Sequence, residues 1–410
     1  MNTPFFIARQ LVFREKKFFS GFIVRVSILA ITLSTAVMIT GSAITRGYQE
    51  VIRQKFYSCW GHLHVMPFLP DPNNLQQESY FAYDQKLVNT LLHQSEIKSV
   101  NPFAIQSVIL KANHEMEGLL IKGITPQTAQ QFSSDFILAG TILPHHKGNA
   151  QNLLISESTA QKLRLKVGDK AIVYLQIGNE EQPRVRPVSI SGIYKTGLEE
   201  YDNHFAIAGL DMIDYLTKRG ADSINGYEIQ LKYPESGQEI KNRLLSTCIP
   251  EPLHVYTLEE RFSNVFSWLS MMKMNERIII IIMLLIALIN MVSALLILVL
   301  ERTQMIGVLK AIGMRNQGIR SVFIFTSAWI LGMGILLGTL LGVGLCWIQQ
   351  YTGCLQLDEK TYYIKTVPIF LDIRVIAGID LLTLLLGVLI LFVPAYIIRT
   401  ISPVKALRFQ

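Results

Sequence analysis

Glu301-Arg302-Thr303-Gln304-Met305-Ile306-Gly307-Val308-Leu309-Lys310-Ala311-Ile312-Gly313-Met314-Arg315 separates two long uncharged runs, Ile278 to Leu300 and Ser321 to Gln350. Ile306, Leu309, Ile312 and Gly313 recur at helical spacing, which predicts a short amphipathic helix stopped by Gly313. An apolar helix face on a loop flanking a membrane is costly unless something covers it. Bilayer would serve, and so would a groove on a partner, through which the partner's motion could reach the adjoining helices. The residues alone leave the two even.

Two more runs can cross a bilayer: Val26 to Thr45, and Val375 to Ile398, which is interrupted by Asp380. A span needs ~20 apolar residues at a 1.5 Å rise each, and all four runs qualify. The first is longer than the ~7–15 apolar residues of a secretion signal and reads as an uncleaved anchor. Half of the chain is hydrophobic and its mean hydropathy is +0.33, so a few spans plus one sizeable polar domain are expected.

Charge sets the orientation. Residues 46–274 hold 22 Lys+Arg and 24 Asp+Glu, whereas the rest of the chain holds 16 and 7. The basic excess flanks the apolar runs and is absent from the domain, which argues against nucleic-acid binding. Arg9, Arg14, Lys16, Lys17 and Arg25 precede the first span; Arg302, Lys310, Arg315 and Arg320 lie between the second and third; Arg399, Lys405 and Arg408 end the chain. Short basic segments stay in the cytoplasm.

The expected organisation is therefore an interfacial helix at 1–20 on the cytoplasmic side, span 1 at 21–45 and an extracytoplasmic domain at 46–274. Span 2 at 275–300, a cytoplasmic loop at 301–320 and span 3 at 321–350 follow. An outer loop at 351–374, span 4 at 375–398 and a cytoplasmic tail at 399–410 complete the chain. Both termini fall inside. The fold class is an integral membrane protein with four transmembrane α-helices and a large α+β domain between the first and second.

Within the domain, strands are expected at His62–Met66, Ser107–Lys111, Gly118–Lys122, Asn152–Ile155, Ala171–Ile177, Pro187–Tyr194 and Gly226–Lys232. Helices are expected at Asp84–His93, with Leu87, Leu91 and Leu92 on one face, from Ser156 to Leu165, and over Gly209–Arg219. Mixed α+β is the result.

Cys59, Cys248, Cys346 and Cys354 follow no zinc or haem spacing, and a Cys59–Cys248 bridge stands beside two separate thiols. The histidines show no ligand spacing; His145-His146 reads as an exposed turn. With no phosphate-binding G-x-x-x-x-G-K-[ST] stretch, no Ser/His/Asp set and no metal motif, no catalytic residue, cofactor or metal is expected. Gly334, Gly338 and Gly342 recur every four residues and predict close helix contact in lipid, by preference within one subunit. Asp380 and Asn290 are intramembrane polar residues; Asp380 sits shallow, and Asn290 is suited to bonding a neighbouring helix.

Glu301-Arg302 followed by Ile306 through Gly313 resembles the ER-x-x-EI-x-x-L-[KR]-x-[LMI]-G signature of ABC transporter permeases of the MacB/FtsX superfamily, with Met305 where that family usually has Glu. Arg46-Gly47-Tyr48-Gln49, Gly61 to Val65, Ile155 to Asp169, Gly192 to Asp202, Tyr362-Tyr363-Ile364 with Val367-Pro368, and Pro394, Arg399, Pro403, Ala406, Leu407 and Arg408 resemble the lipoprotein-releasing LolC/LolE family, in order along nearly the whole chain.

The resemblance implies that Glu301, Arg302, Ile306, Gly307, Leu309, Lys310, Ile312 and Gly313 couple the chain to a separate ABC ATP-binding subunit. It implies a second permease subunit in a homo- or heterodimer, lipoprotein cargo, membrane lipids around the spans and a periplasmic carrier. The first and second spans would line the substrate cavity, with Met38, Ile282, Ile286 and Asn290 as its candidates. The implied activity is extraction of lipoproteins from the outer leaflet of a bacterial inner membrane, powered by the partner ATPase. A regulatory FtsX-like permease controlling cell-wall hydrolases, or a MacB-like efflux permease, is the alternative.

Overall fold

The computed structural model describes residues 18–74, 79–132, 136–142, 151–176, 182–220, 222–358 and 364–391. Most of the expected interfacial helix, the His145-His146 turn, Tyr362-Tyr363, the end of span 4 and the whole C-terminal tail lie outside these. In chain order the helices and strands are α1 Phe18–Trp60, β1 Leu63–Pro67, β2 Phe81–Ala82, α2 Gln85–Leu92, β3 Ile97–Ala112, β4 Glu115–Ile124, α3 Pro126–Gln131, β5 Ile137–Gly140, β6 Asn152–Ser156, α4 Glu157–Leu163, β7 Lys170–Leu175 and β8 Arg184–Tyr194. They continue as α5 Glu199–His204, β9 Phe205–Gly209, α6 Leu210–Thr217, β10 Ser223–Ile224, β11 Gly226–Leu231, α7 Gly237–Thr247, β12 Leu253–Thr257, α8 Leu258–Arg261, α9 Ser263–Glu301, α10 Thr303–Ala311, α11 Asn316–Thr352 and α12 Ile373–Ile390.

The chain divides into two units. One comprises Met1–Glu50, Ser270–Gln356 and Thr366–Gln410; the other comprises Val51–Leu269 and Leu357–Lys365.

In the first unit, α1, α9, α11 and α12 are each long and apolar enough to cross a membrane. Gly334, Gly338 and Gly342 of α11 meet α1 directly. A Cβ on Gly334 would lie 2.6 Å from Ile31 Cγ2, and one on Gly338 2.6 Å from Thr35 Cβ. Where every surrounding surface is apolar, small residues supply the close packing that hydrophobicity cannot. Asp380 of α12 sits 3.0 Å, through both carboxylate oxygens, from Thr339 Oγ1 of α11.

The second unit is built on a sheet of order β12-β1-β11-β3-β4-β9-β6-β8-β5, with β7 also joined to β3 and β8. The 16-residue β3 is shared. Its first half pairs with β11 and its second with β4 and β7. The β3–β4 hairpin turns at Asn113 and His114, both at positive φ, as a two-residue turn matching strand twist requires. One apolar core gathers Leu63, Leu87, Ile97, Ile229 and Val255, and another gathers Val108, Leu153, Leu163, Val188 and Leu216.

The strands and helices expected within the domain are present among the described residues, with longer β3 and β4; Ile177 lies outside those residues. In α2 the apolar face is Leu87, Val88 and Leu91, while Leu92 is 46% exposed. Leu92 lies five residues, about 500°, beyond Leu87, off the buried stripe. α1 runs past residue 45 to Trp60, and α9 begins at Ser263, because no proline interrupts the sequence on either side and the single glycine there, Gly47, is tolerated within the helix. Cys59 and Cys248 are free thiols.

Trp60 is fully buried and ringed by Phe103, Tyr201, Phe205 and Phe262. Lys122 Nζ stands 4.0 Å over its ring, 2.6 Å from Glu228 Oε1, and donates to the Cys59 carbonyl at 2.5 Å. Two neutral histidines adjoin this node. His62 Nδ1 accepts from the Leu231 N–H at 3.1 Å, and burial pushes its pKa down to about 4. His64 is fully buried 2.7 Å from the Trp60 carbonyl; burial, then the Arg261 cation, hold it well below the usual histidine range.

The unfolded chain protonates both near pH ~6.5 and the folded one resists, so their contribution is full above that pH and falls as pH drops toward 4. Glu228 and Asp202, whose carboxyls burial pushes up, act with the opposite sign, so the histidine part is read by difference. The thermal midpoint of the full chain should fall from about pH 7 to about pH 5, and His62→Asn, which keeps an acceptor for Leu231, should flatten that fall. An unchanged slope in the variant would remove His62 from the account.

Candidate transport site in the membrane unit

The loop after α9 folds into α10, whose N-cap is Arg302 and whose C-cap is Ile312. Gly313 takes φ +92. Its N–H donates to the Lys310 carbonyl at 3.1 Å, and that of Met314 to Leu309 at 2.9 Å. This is the Schellman ending that only a residue tolerant of positive φ closes without strain. Ile306 is fully buried among Leu298, Val299, Ile319 and Phe323, with Met305, Leu309 and Met314 packed alongside. Met305 thus contributes an apolar contact to the same cluster.

The expected apolar face needs one correction. Ile312 is 78% exposed, because six residues of helix place it about 120° from Ile306. Glu301 is exposed, Gly307 buried, and Arg302, Leu309 and Lys310 half-buried. Val308, 46% exposed, joins Ile312 in the outward apolar surface, a residue that spacing counted from Ile306 did not reach. Ile306 therefore anchors α10 to the spans while Val308 and Ile312 face away.

The four cavity candidates are not brought together. Ile282 and Ile286 of α9, one turn apart, are 47% and 41% exposed, and Asn290 continues that row half-buried. Met38 of α1 is 1% exposed and packs with Ile39, Leu284 and Ile379 instead. Its face of α1 belongs to the interior seam, which a hydropathy pattern without polar residues does not reveal.

A polar cluster that sequence reading missed ties three spans at one level. The Ser42 hydroxyl donates to Glu276 Oε1 at 2.5 Å, and Arg46 lies 3.7 Å from that carboxylate and 3.8 Å from Asp372. Glu276 is buried, and Asp372 caps α12 by accepting from the Arg374 N–H at 2.9 Å. Beside it, Gly47 admits the chain at Pro368–Phe370, and the Phe370 N–H donates to the Ala43 carbonyl at 3.1 Å. The available signal was Arg46-Gly47 at the end of the first apolar run and Glu276 just before the second. Among the described residues, no group of His, Cys, Asp and Glu could hold a metal.

Four apolar helices with an α+β domain inserted between the first two, and a short linker helix between the second and third, define an ABC transporter permease subunit. The chain belongs to the family of the MacB-like periplasmic core domain, whose model matches residues 26–246, and the model of the FtsX-like permease C-terminal matches residues 277–403. It is therefore a membrane protein with a periplasmic domain.

Among its relatives is the lipoprotein-releasing system transmembrane protein LolC of Xylella fastidiosa, 24% identical over 100% of both chains. Another is LolE of the same system in Haemophilus influenzae, 24% identical over 90% of each. A weaker likeness, of TM-score 0.34, is to the periplasmic region of MacB from Actinobacillus actinomycetemcomitans, at 14% identity over 50% of this chain and 91% of that one.

Proposed function

We propose that this chain is the permease subunit of a lipoprotein-releasing ABC transporter, which lifts lipoproteins out of the outer leaflet of the inner membrane for transfer toward the outer membrane. The observation that carries the reading is the end-to-end match to a chain of that name, over the full length of both. A likeness confined to the helices would support any permease of the class.

The energy comes from a separate ATP-binding subunit, and a second permease chain completes the assembly. Val308 and Ile312, exposed on α10, are the surface the ATPase covers, and Ile306 transmits its movement to α9 and α11. Glu301, Arg302, Gly307, Leu309, Lys310 and Gly313 shape or flank that contact. Both termini and residues 301–320 are cytoplasmic, as their basic charge requires. The outward row Ile282, Ile286 and Asn290 faces the cargo's acyl chains across the seam with the second permease, and Met38 backs it from inside. Each buried CH₂ holds cargo in the bilayer by ~0.8 kcal/mol, so a multiply acylated protein leaves only under ATP-driven work.

Depletion of the chain followed by membrane fractionation tests the reading. Lipoproteins should accumulate in the inner membrane; cell chaining with normal lipoprotein sorting would support an FtsX-like regulator, and drug sensitivity alone a MacB-like pump. Labelling tests the topology: in a chain whose four native cysteines, among them the exposed Cys354, are replaced by serine, Lys310→Cys should be shielded from an impermeant thiol reagent in intact spheroplasts, whereas a cysteine replacing Glu199 should react.

A further inference from the structure

In the second unit, a cavity of about 620 Å³ is walled by Phe56, Leu119, Phe205, Phe262 and Val265, and Arg261 lines it. Sites of this size take small molecules and not folded partners. Arg261 is 2% exposed; one terminal nitrogen donates to the Pro72 carbonyl at 2.7 Å, and Nε has no hydrogen-bond partner among the described residues. None of them brings a carboxylate within 4.0 Å of it; Asp71 acts on it from farther away, and the described lining contains no Asp or Glu. Guanidinium stays charged at any physiological pH, and a buried charge is ordinarily paired. Asn73 Oδ1, which accepts from Ser263 N at 3.1 Å and its hydroxyl at 2.8 Å, fixes the rim. The cavity thus offers a buried cation with no carboxylate in direct contact, beside an aromatic and aliphatic wall.

We propose that this cavity binds an anionic amphiphile, with a carboxylate or phosphate head on Arg261 and a single acyl chain along Phe56, Phe205, Phe262 and Val265. The head supplies the direct ion-pair partner that Asp71 is too far away to be, and the chain covers the apolar wall. A free inorganic anion would satisfy Arg261 but leave that wall wet; a neutral lipid would do the reverse. The site lies in the sheet-bearing unit and does not depend on what the spans transport.

The test uses the full chain in nanodiscs with a diazirine-bearing fatty acid, its uncharged monoacylglycerol counterpart, and peptide mapping after illumination. The fatty acid should label peptides containing Leu119 or Val265. The neutral probe should label them about 10- to 100-fold less, the loss expected for a missing charge-assisted hydrogen bond. Arg261→Gln should abolish the preference. Because that variant also loses the Pro72 bond, Val265→Trp, at a half-buried position, provides a fold-neutral block and should remove labelling with the thermal midpoint unchanged. Labelling confined to the membrane-spanning helices, equal labelling by the neutral probe, or labelling indifferent to Val265→Trp would overturn the proposal. Competition by phosphate as strong as by unlabelled fatty acid would do so as well, by making the site one for a simple anion.

Discussion

Lys122→Met is expected to destabilise the periplasmic unit by about 3–5 kcal/mol, the cost of leaving one member of a buried ion pair alone. Lys122 and Glu228 are 1% and 5% exposed at their side chains, and they reach across β3, one from β4 and the other from β11. The pair therefore joins the two halves of the sheet at the point where β3 changes partners. Methionine would fill the volume and keep contact with Trp60, but it would strand Glu228 and leave the Cys59 carbonyl without its donor.

Burial already pushes the Glu228 carboxyl up, so protonation would absorb part of the loss, at 1.36 kcal/mol per pKa unit. The variant's deficit should accordingly shrink as pH falls. Lys122→Met/Glu228→Leu should recover to within about 1–2 kcal/mol of the parent, since paired replacement by apolar groups is near neutral. The measurement is a double-mutant cycle on denaturant unfolding. A single variant as stable as the parent, or a double variant no better than the single, would show that the pair does not hold the sheet.

That pair marks the boundary of what the sequence made legible. The four spans were readable because twenty apolar residues in a row have few soluble explanations, and the loop signature from Glu301 to Gly313 carried helix, cap and class together. Strands such as Asn152–Ser156, with Ser156 ready to cap α4 by accepting from the Thr159 N–H, were equally plain. α7 and β12 were not expected. α7 is polar on most of its surface and buries only Ile240, Lys241 and Leu244, and β12 follows Pro250 and Pro252, which read as loop.

Partnership was the harder loss. Lys122 ends a stretch expected to be a strand, where a lysine signals an exposed tip, and nothing local announces a carboxylate on a distant strand. Met38, buried in the seam with Leu284 and Ile379, shows the converse: a helix apolar all round does not say which face meets protein and which meets lipid. Gly334, Gly338 and Gly342 carry a local signal of close approach, because small residues repeated every four line one helix face, and here that face meets α1.

Gly47→Val should disable the membrane unit at its polar edge. A Cβ on residue 47 would lie 2.4 Å from the Pro368 carbonyl oxygen, 2.7 Å from its carbon and 2.9 Å from the Phe370 nitrogen. All three are backbone atoms, so no side-chain rotation relieves the clash, and the 366–372 segment must withdraw. Withdrawal breaks the Phe370 N–H bond to Ala43, which is reachable only because residue 47 covers nothing. It also carries Asp372 away from Arg46, which already stands 3.7 Å from the buried Glu276 carboxylate, so a cation shared by α9 and α12 loses a partner.

Forced overpacking costs about 1–3 kcal/mol where side chains can yield and more where backbone must. The expected result is a chain that inserts yet cross-links poorly between cysteines at Ala43 and Phe370, with lipoprotein release lost. Gly41→Val is the control, since a Cβ there meets nothing within 4 Å. Equal cross-linking in the Gly47 and Gly41 variants would mean that α1 does not depend on that close approach.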